Sequence, residues 1–233
     1  MTSSDPKEYG TVYTSTAMKT DTRVLLSHVE GTRTTEDYTA LFYDVEMKRS
    51  FHSPIPVFTS GNWDPIKEGL VSVYGFVEHP PYKGRGRPPL PQMIPVSDLK
   101  YAQVCKKWKK GRVVEVVQRV VFGDPDEVLN LLGADEGCTI NTAYIERMNL
   151  TFRNCLARFI RKTMNESKTM KMHSRAIDFF QAWYNFVKPH KSLRILVNDG
   201  KRKWKQRTPM MAEGLTDHVW TLDKLLTFKV SVQ

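Results

Sequence analysis

The first 75 residues alternate β-rich runs with helical periodicity. Two runs over 11–18 and 23–29 have strand-like composition and predict two strands, with a turn at Asp21-Thr22 between them. Apolar residues then recur every three or four positions and predict a helix over 34–49, which begins with a hydroxyl cap and an acidic first turn. The positions that this helix is expected to bury are Tyr38, Leu41, Phe42 and Val45.

A further strand and helix follow in the same part of the chain. The apolar run over 55–59 predicts a buried strand, which ends in the turn-forming residues 60–62. Pro65 suits the first turn of a helix that continues to Val73. The resulting order of strand, strand, helix, strand and helix is typical of an α/β protein.

Residues 76–98 interrupt this alternation. Six of the 13 prolines fall in this segment, which predicts a long loop or insertion, and loops of such length are usually functional or disordered. Within it, residues 83–89 resemble an AT-hook, in which Arg85 and Arg87 would insert into a narrow A·T minor groove. A simple basic linker explains the same residues equally well.

A basic hairpin is predicted after this insertion. Residues 101–105 and 112–122 have strand character, and the turn between them is rich in lysine around Trp108. Either the lysines grip phosphates while the indole stacks, or the segment is simply an exposed hairpin tip. The lysines concerned are Lys106, Lys107, Lys109 and Lys110. A short helix is predicted over 126–133.

Helical periodicity returns over 142–163, where an acid stands near the start of an otherwise basic helix. This acid, Glu146, is either a metal-binding carboxylate beside a DNA-binding surface or a favourable first-turn acid that pairs with Arg147 or Arg153. A second helix is predicted over 173–187. The positions expected to contact DNA in this half of the chain are Arg153, Arg158, Arg161, Lys162, Lys188, His190 and Arg194.

Charge is divided unevenly along the chain. Residues 1–75 carry seven basic and ten acidic side chains, whereas residues 76–233 carry 28 and 15. A basic segment of this size favours a polyanion partner, with nucleic acid as the first candidate, and a solvated basic surface is the alternative. No run of about 18 apolar residues predicts a membrane span, and three cysteines without a CxxC pair favour a reducing, cytoplasmic location.

Four segments together resemble insertion-sequence transposases of the DDE, or RNase H-like, superfamily. They are residues 140–153, 157–163, 184–194 and 207–218, and the resemblance as a whole extends from about Tyr9 to Phe228. It implies an α/β fold with a mixed sheet flanked by helices. The implied core spans 9–195 with its insertion at about 76–98, and a basic C-terminal extension covers 196–233.

The resemblance also implies a chemistry. In this family two Asp and one Glu hold two Mg²⁺ or Mn²⁺ ions, which activate a nucleophile for DNA cleavage and strand transfer. Glu146 matches the family's metal-binding and catalytic Glu. The implied partners are double-stranded DNA at the ends of the element and either further copies of this chain or an intact transposase, in the cytoplasm and associated with the nucleoid.

The chain departs from the family pattern at the other two carboxylates. The strand that bears the first Asp would lie before this chain begins, and Gly61 stands at the second Asp position, with Asp64 three residues further on as a possible substitute ligand. We therefore expect an N-terminally truncated transposase that binds DNA without efficient cleavage. The alternative is a non-enzymatic regulator or inhibitor of an intact transposase. The sheet is expected to lack its central strand, which leaves backbone groups unpaired unless another chain supplies it.

Overall fold

A computed structural model describes residues 12–82, 84, 86–133, 140, 142–160, 164–197 and 203–229. The fold is mixed α/β, with helices and several small sheets. The chain divides into two units. The first contains Met1–Ser15 and Val29–Glu146, and the second contains Thr16–His28 and Arg147–Gln233. None of the described helices is long and apolar enough to cross a membrane.

Nine strands are present in the described residues. They are β1 (Tyr13–Met18), β2 (Leu25–Gly31), β3 (Val57–Gly61), β4 (Gly75–Glu78), β5 (Gln92–Pro95), β6 (Lys100–Lys109), β7 (Arg112–Phe122), β8 (His190–Leu196) and β9 (Trp204–Arg207). They form one three-stranded sheet in the order β3-β6-β7 and three two-stranded sheets, β1-β2, β4-β5 and β8-β9. Within the described residues β3 pairs with β6 alone, so its other edge has no strand partner.

Seven α-helices connect these strands in the same described residues. They are α1 (Thr35–Met47), α2 (Asp64–Val73), α3 (Pro125–Leu131), α4 (Ala143–Cys155), α5 (Met170–Phe186), α6 (Pro209–Ala212) and α7 (Leu222–Thr227). A short 3-10 turn over Ala157–Phe159 follows α4. The helix expected over 142–163 therefore ends at Cys155, although Phe159 still packs against the same core as Phe152.

The three-stranded sheet is the centre of the first unit. β3 runs parallel to β6, from Val57 opposite Lys100 to Gly61 opposite Val104, and β6 and β7 form a long antiparallel hairpin. On one face Phe58 contacts α1 through Phe42, with ring centroids 5.5 Å apart. Side chains on the other face form a second cluster with α3, so the sheet is covered on both sides at β3 and the first half of β6, whereas most of β7 is exposed. The buried members of that cluster are Ala102, Val104, Val128 and Ile140.

The helix α1 forms where its sequence predicts. Thr34 accepts a hydrogen bond from the Asp37 backbone N–H, and Asp37 in turn accepts one from the Thr34 N–H, which completes a capping box. The four expected positions are all buried against the rest of the unit: Tyr38, Leu41, Phe42 and Val45. The cap and the apolar stripe agree with each other, so this helix is specified by its own sequence.

The segment 76–98 differs from the expected long loop. Its two ends form the antiparallel strands β4 and β5, so the connection that remains covers only residues 79–91. Pro95 is tolerated because it closes a strand of a two-stranded sheet, where a missing backbone donor costs little. Gly75, two residues after the end of α2, begins β4.

The second unit is built around an aromatic core. Its buried members are Leu25, Met148, Phe152, Ile177, Phe180 and Tyr184. The helix α5 begins at Met170, three residues before the expected start, because the Thr169 hydroxyl accepts a hydrogen bond from the Met172 N–H. The C-terminal segment folds into the β8–β9 hairpin and the helices α6 and α7.

Candidate functional site

The carboxylate of Glu146 lies in the first turn of α4 and is held by two neighbours. Its Oε1 atom accepts a hydrogen bond from the Thr142 hydroxyl at 2.7 Å and a second from the Lys106 ammonium on β6. The side chain is 54 % exposed. Lys106, and after it Thr142, lower the pKa of Glu146 below its ordinary value. The carboxylate is therefore ionised and already carries a counter-ion from the protein.

Gly61, at the second expected carboxylate position, closes β3 on the same face of the sheet as Lys106. Gly61 lies opposite Val104 in the parallel register, and side chains two residues apart on a strand share a face. A Cβ atom at Gly61 would meet no heavy atom within 4 Å. An aspartate would therefore fit here without displacing any neighbour.

Asp64 does not join Glu146 in a cluster. It lies exposed in the first turn of α2, where its charge suits the helix dipole. Across the described ranges no three His, Cys, Asp or Glu side chains come together as metal ligands would. Whether Asp64 binds a metal stays a prediction.

A buried polar network occupies the opposite face of the sheet, and sequence reasoning missed it. Tyr101 and Gln103 are fully buried, and the Tyr101 hydroxyl is 2.6 Å from the Ser60 hydroxyl and 2.9 Å from the Gln103 amide nitrogen. Arg119 donates to Gln103 Oε1 at 2.6 Å and to Asn62 Oδ1 at 2.9 Å. Burial raises the pKa of Tyr101, so the phenol stays neutral. The alternation of polar Tyr101 and Gln103 with apolar residues along β6 was the available signal.

The tip of the β6–β7 hairpin is the basic surface that the sequence predicts. Lys110 and Gly111 both have positive φ, as the central residues of a type I′ turn require. Trp108 beside the turn is 64 % exposed. Lys109 and Arg112 flank the turn as a cross-strand pair, so cations and an indole project together from the end of the ribbon.

Two of the four predicted lysines of this hairpin are already paired. Lys106 bonds Glu146, as described, and Lys107 lies 2.8 Å from the Glu115 carboxylate, which raises the pKa of Lys107. The structure thus directs these two ammonium groups to carboxylates of the same chain. Contact of Lys109 and Lys110 with DNA stays a prediction.

The remaining predicted contacts are distributed over separate elements. Arg87 is exposed in the 79–91 loop, Arg153 is half-buried on α4, and Arg158 donates to the Ser167 hydroxyl at 3.3 Å. Lys188 lies over the Trp183 ring at 5.2 Å. Three of the predicted positions lie outside the described residues: Arg85, Arg161 and Lys162.

His190 begins β8 with its ring turned toward the core. Its Nε2 atom is 2.9 Å from the hydroxyl of buried Tyr184. Burial, and after it the nearby cations Lys188, Arg23 and Arg147, lower the pKa of His190. The imidazole is therefore neutral near pH 7 and adds no positive charge to the surface there.

Comparison of this chain with protein-family models, with curated proteins and with solved structures found no match.

Proposed function

We propose that this chain is a DNA-binding protein related to DDE transposases, with an RNase H-like core, which binds double-stranded DNA without cutting it efficiently. The order of elements supports the relation. The paired strands β1 and β2 are followed by α1, by β3, by α2, by the β4–β5 pair and then by β6, which is parallel to β3. This order is compatible with a mixed sheet flanked by helices.

The contact between Lys106 and Glu146 is the main support for the proposal that the chain does not cut DNA efficiently. Mg²⁺ and Mn²⁺ are hard cations that need several oxygen ligands, and carboxylates supply them best. Here an ammonium group holds the Glu146 carboxylate, and Gly61 offers no ligand on the same face of the sheet. This donor set is a poor fit to a divalent ion, which supports the proposal that cleavage is inefficient.

Binding, in contrast, needs only exposed cations. Phosphate contacts by Lys and Arg supply most of the non-specific affinity of DNA-binding proteins and require no catalytic group. The chain presents such cations at the β6–β7 turn, in the 79–91 loop and on the β8–β9 hairpin. A chain can therefore lose its metal site and still bind DNA through its basic surface.

Two measurements on the purified chain test this proposal. Fluorescence anisotropy with a labelled duplex is expected to show binding that weakens steeply as salt rises. A supercoiled-plasmid assay with Mg²⁺ or Mn²⁺ is expected to show no nicking above that of the matched Glu146→Gln variant. Either an absence of duplex binding or metal-dependent nicking that Glu146→Gln abolishes would refute the proposal.

A paired substitution distinguishes a damaged transposase from a protein adapted to binding alone. Gly61→Asp adds a carboxylate where there is space for it, and Lys106→Met removes the ammonium group while keeping side-chain volume. If the site is only damaged, the double variant should bind Mn²⁺ in an electron paramagnetic resonance titration. The Gly61→Asp single variant should not, because Lys106 would neutralise the added charge. A double variant that binds no Mn²⁺ favours the non-enzymatic regulator.

A further inference from the structure

The β8–β9 hairpin is a second basic ribbon, and within the described residues its cations have no carboxylate partner. Residues 188–197 and 203–207 contain six Lys or Arg and no Asp or Glu, and Asp199 lies between these two ranges, outside the described residues. The β6–β7 hairpin differs, because Glu146 and Glu115 neutralise two of its lysines. Unpaired cations attract phosphate, so the β8–β9 hairpin, which the sequence pattern did not predict, is a candidate phosphate-binding surface.

The hairpin presents different groups on its two faces. Leu196 lies opposite Trp204, and the Arg194 guanidinium stacks on the Trp204 ring at 4.2 Å, so these three share one face. Ile195 lies opposite Lys205 on the other face. Cations thus point outward from both sides of a ribbon that carries exposed apolar side chains between them.

The base of the hairpin is anchored while its strands project. His190 bonds the buried Tyr184 hydroxyl at the start of β8, and Arg207 donates to the Met211 carbonyl at 2.9 Å at the end of β9. Thr208, immediately after β9, is fully buried. From this anchored base, Arg194 and Trp204 both lie exposed, with Trp204 38 % accessible.

We infer that the β8–β9 hairpin inserts as a two-stranded ribbon into the major groove of double-stranded DNA, where its two charged faces meet the phosphates of both strands. The major groove is about 12 Å wide and admits a two-stranded ribbon, whose strands lie about 4.8 Å apart. A ribbon with cations on one face only would suit a flat anionic surface. The Arg194 stack covers one face of the Trp204 ring, which leaves only the other face to stack on an unpaired base.

This inference rests on the proposed DNA-binding function, and a matched pair of variants separates the two. One variant carries Arg194→Gln, Lys203→Gln and Lys205→Gln on the β8–β9 hairpin. The control carries Lys168→Gln, Lys171→Gln and Arg175→Gln, three exposed positions that are not among the predicted DNA contacts. Each triple removes three exposed charges, and circular dichroism checks that both variants fold as the parent chain does.

The measurement is duplex affinity as a function of salt in the full chain. Each phosphate contact contributes about 0.9 to the logarithmic salt slope, so the β8–β9 triple should lower that slope by about 2 to 3 and weaken binding at least roughly tenfold at low salt. The control should change the slope by less than about 1. If both triple variants lose affinity equally, or if the β8–β9 triple binds as the parent chain does, the assignment of the β8–β9 hairpin to the groove is overturned. Duplex binding by the parent chain tests the proposed DNA-binding function separately.

Competition experiments distinguish major-groove binding from minor-groove, single-strand and membrane binding. The parent chain should prefer the duplex to either of its separated strands, and netropsin, which occupies the minor groove, should not displace it. Displacement by netropsin, or preference for a single strand, overturns the groove assignment. Phosphatidylserine vesicles that compete with the duplex, and whose binding the β8–β9 triple abolishes, would show that the ribbon serves a membrane surface instead.

Discussion

Asn185 bonds both backbone groups of Leu25 within the second unit, and its removal tests how much this link stabilises the fold. The side chain is 2 % exposed on α5. Its amide nitrogen donates to the Leu25 carbonyl at 2.9 Å, and its oxygen accepts from the Leu25 N–H at 3.0 Å. Leu25, at the start of β2, is itself fully buried. Side-chain groups thus satisfy backbone groups of β2 that water cannot reach.

The magnitude for Asn185→Ala follows from these bonds. Each lost hydrogen bond is worth about 1 kcal/mol net, and a buried donor left without a partner costs about 1–3 kcal/mol. The Leu25 carbonyl keeps a second donor, Gln181, at 2.9 Å, so only the Leu25 N–H is orphaned. We therefore expect a loss of about 2–4 kcal/mol in the free energy of unfolding, a large share of the 5–15 kcal/mol typical of a domain.

Urea denaturation followed by far-ultraviolet circular dichroism measures this loss, with Gln181→Ala as the matched control. Gln181 donates to the Leu25 and Leu26 carbonyls from a half-buried position, and its removal leaves the Leu25 N–H bonded, so it should cost about 1–2 kcal/mol. If Asn185→Ala stays within about 0.5 kcal/mol of the parent chain, or matches Gln181→Ala, the reasoning about an orphaned donor is wrong.

Three further predictions follow from other contacts. Gly69→Ala should destabilise the chain by about 1–3 kcal/mol in urea titration, because its Cβ would lie 2.7 Å from a side-chain atom of α1; a neutral result would show that α1 and α2 can separate. Thr34→Ala should lower stability by about 1 kcal/mol through loss of the helix cap, whereas Thr34→Ser should restore it. The Glu146 pKa is lowered in the fold, so its stabilisation is present above an unfolded pKa of about 4.3 and is lost as pH falls through the folded value. Lys106→Met should therefore flatten the acid limb of the stability profile, and an unchanged limb would contradict the ion pair.

Local signals in the sequence predicted the elements that they themselves specify. The helix α1 needs only its cap at Thr34 and its apolar stripe, and both lie within the helix or beside it. The β6–β7 hairpin was likewise predicted because its turn at Lys110-Gly111 and its strands are contiguous. Where local propensity and the final fold agree, the sequence alone is sufficient.

Short strands escaped prediction because their stability comes from a partner. The strand β4 has four residues, and β5 lies in a proline-rich segment that reads as a loop until the two strands are paired. The strands β8 and β9 are separated by residues 197–203 along the chain and show irregular register, so no alternation marks them. At α4 the prediction was too long instead. The apolar positions continue to Phe159 because that residue packs on the aromatic core, although the helix ends at Cys155.

The ion-pair partner of Glu146 could not be predicted from the residues near it in the sequence. Sequence spacing offered Arg147 and Arg153 as partners, because residues on one helix lie close together. The actual partner, Lys106, is 40 positions away along the chain and approaches from β6. Only the tertiary fold brings the two side chains together, and the sequence therefore suggested a phosphate contact for a lysine that the structure assigns to a carboxylate.

The ion pair between Lys106 and Glu146 affects both parts of the proposed function, the inefficient cleavage and the binding of DNA. It gives Glu146 a counter-ion, which removes the need for a metal, and it withdraws Lys106 from the surface that would attract DNA. A net positive charge summed over a segment therefore does not locate a phosphate-binding surface, because cations already paired with carboxylates exert little field on a partner. Under the proposed function, counting only unpaired cations removes Lys106 and Lys107 from the expected interface and keeps the cations of the β8–β9 hairpin in it. By the same reasoning, a chain that kept the metal chemistry would leave its carboxylates unpaired and its β6 lysines available to the phosphate backbone.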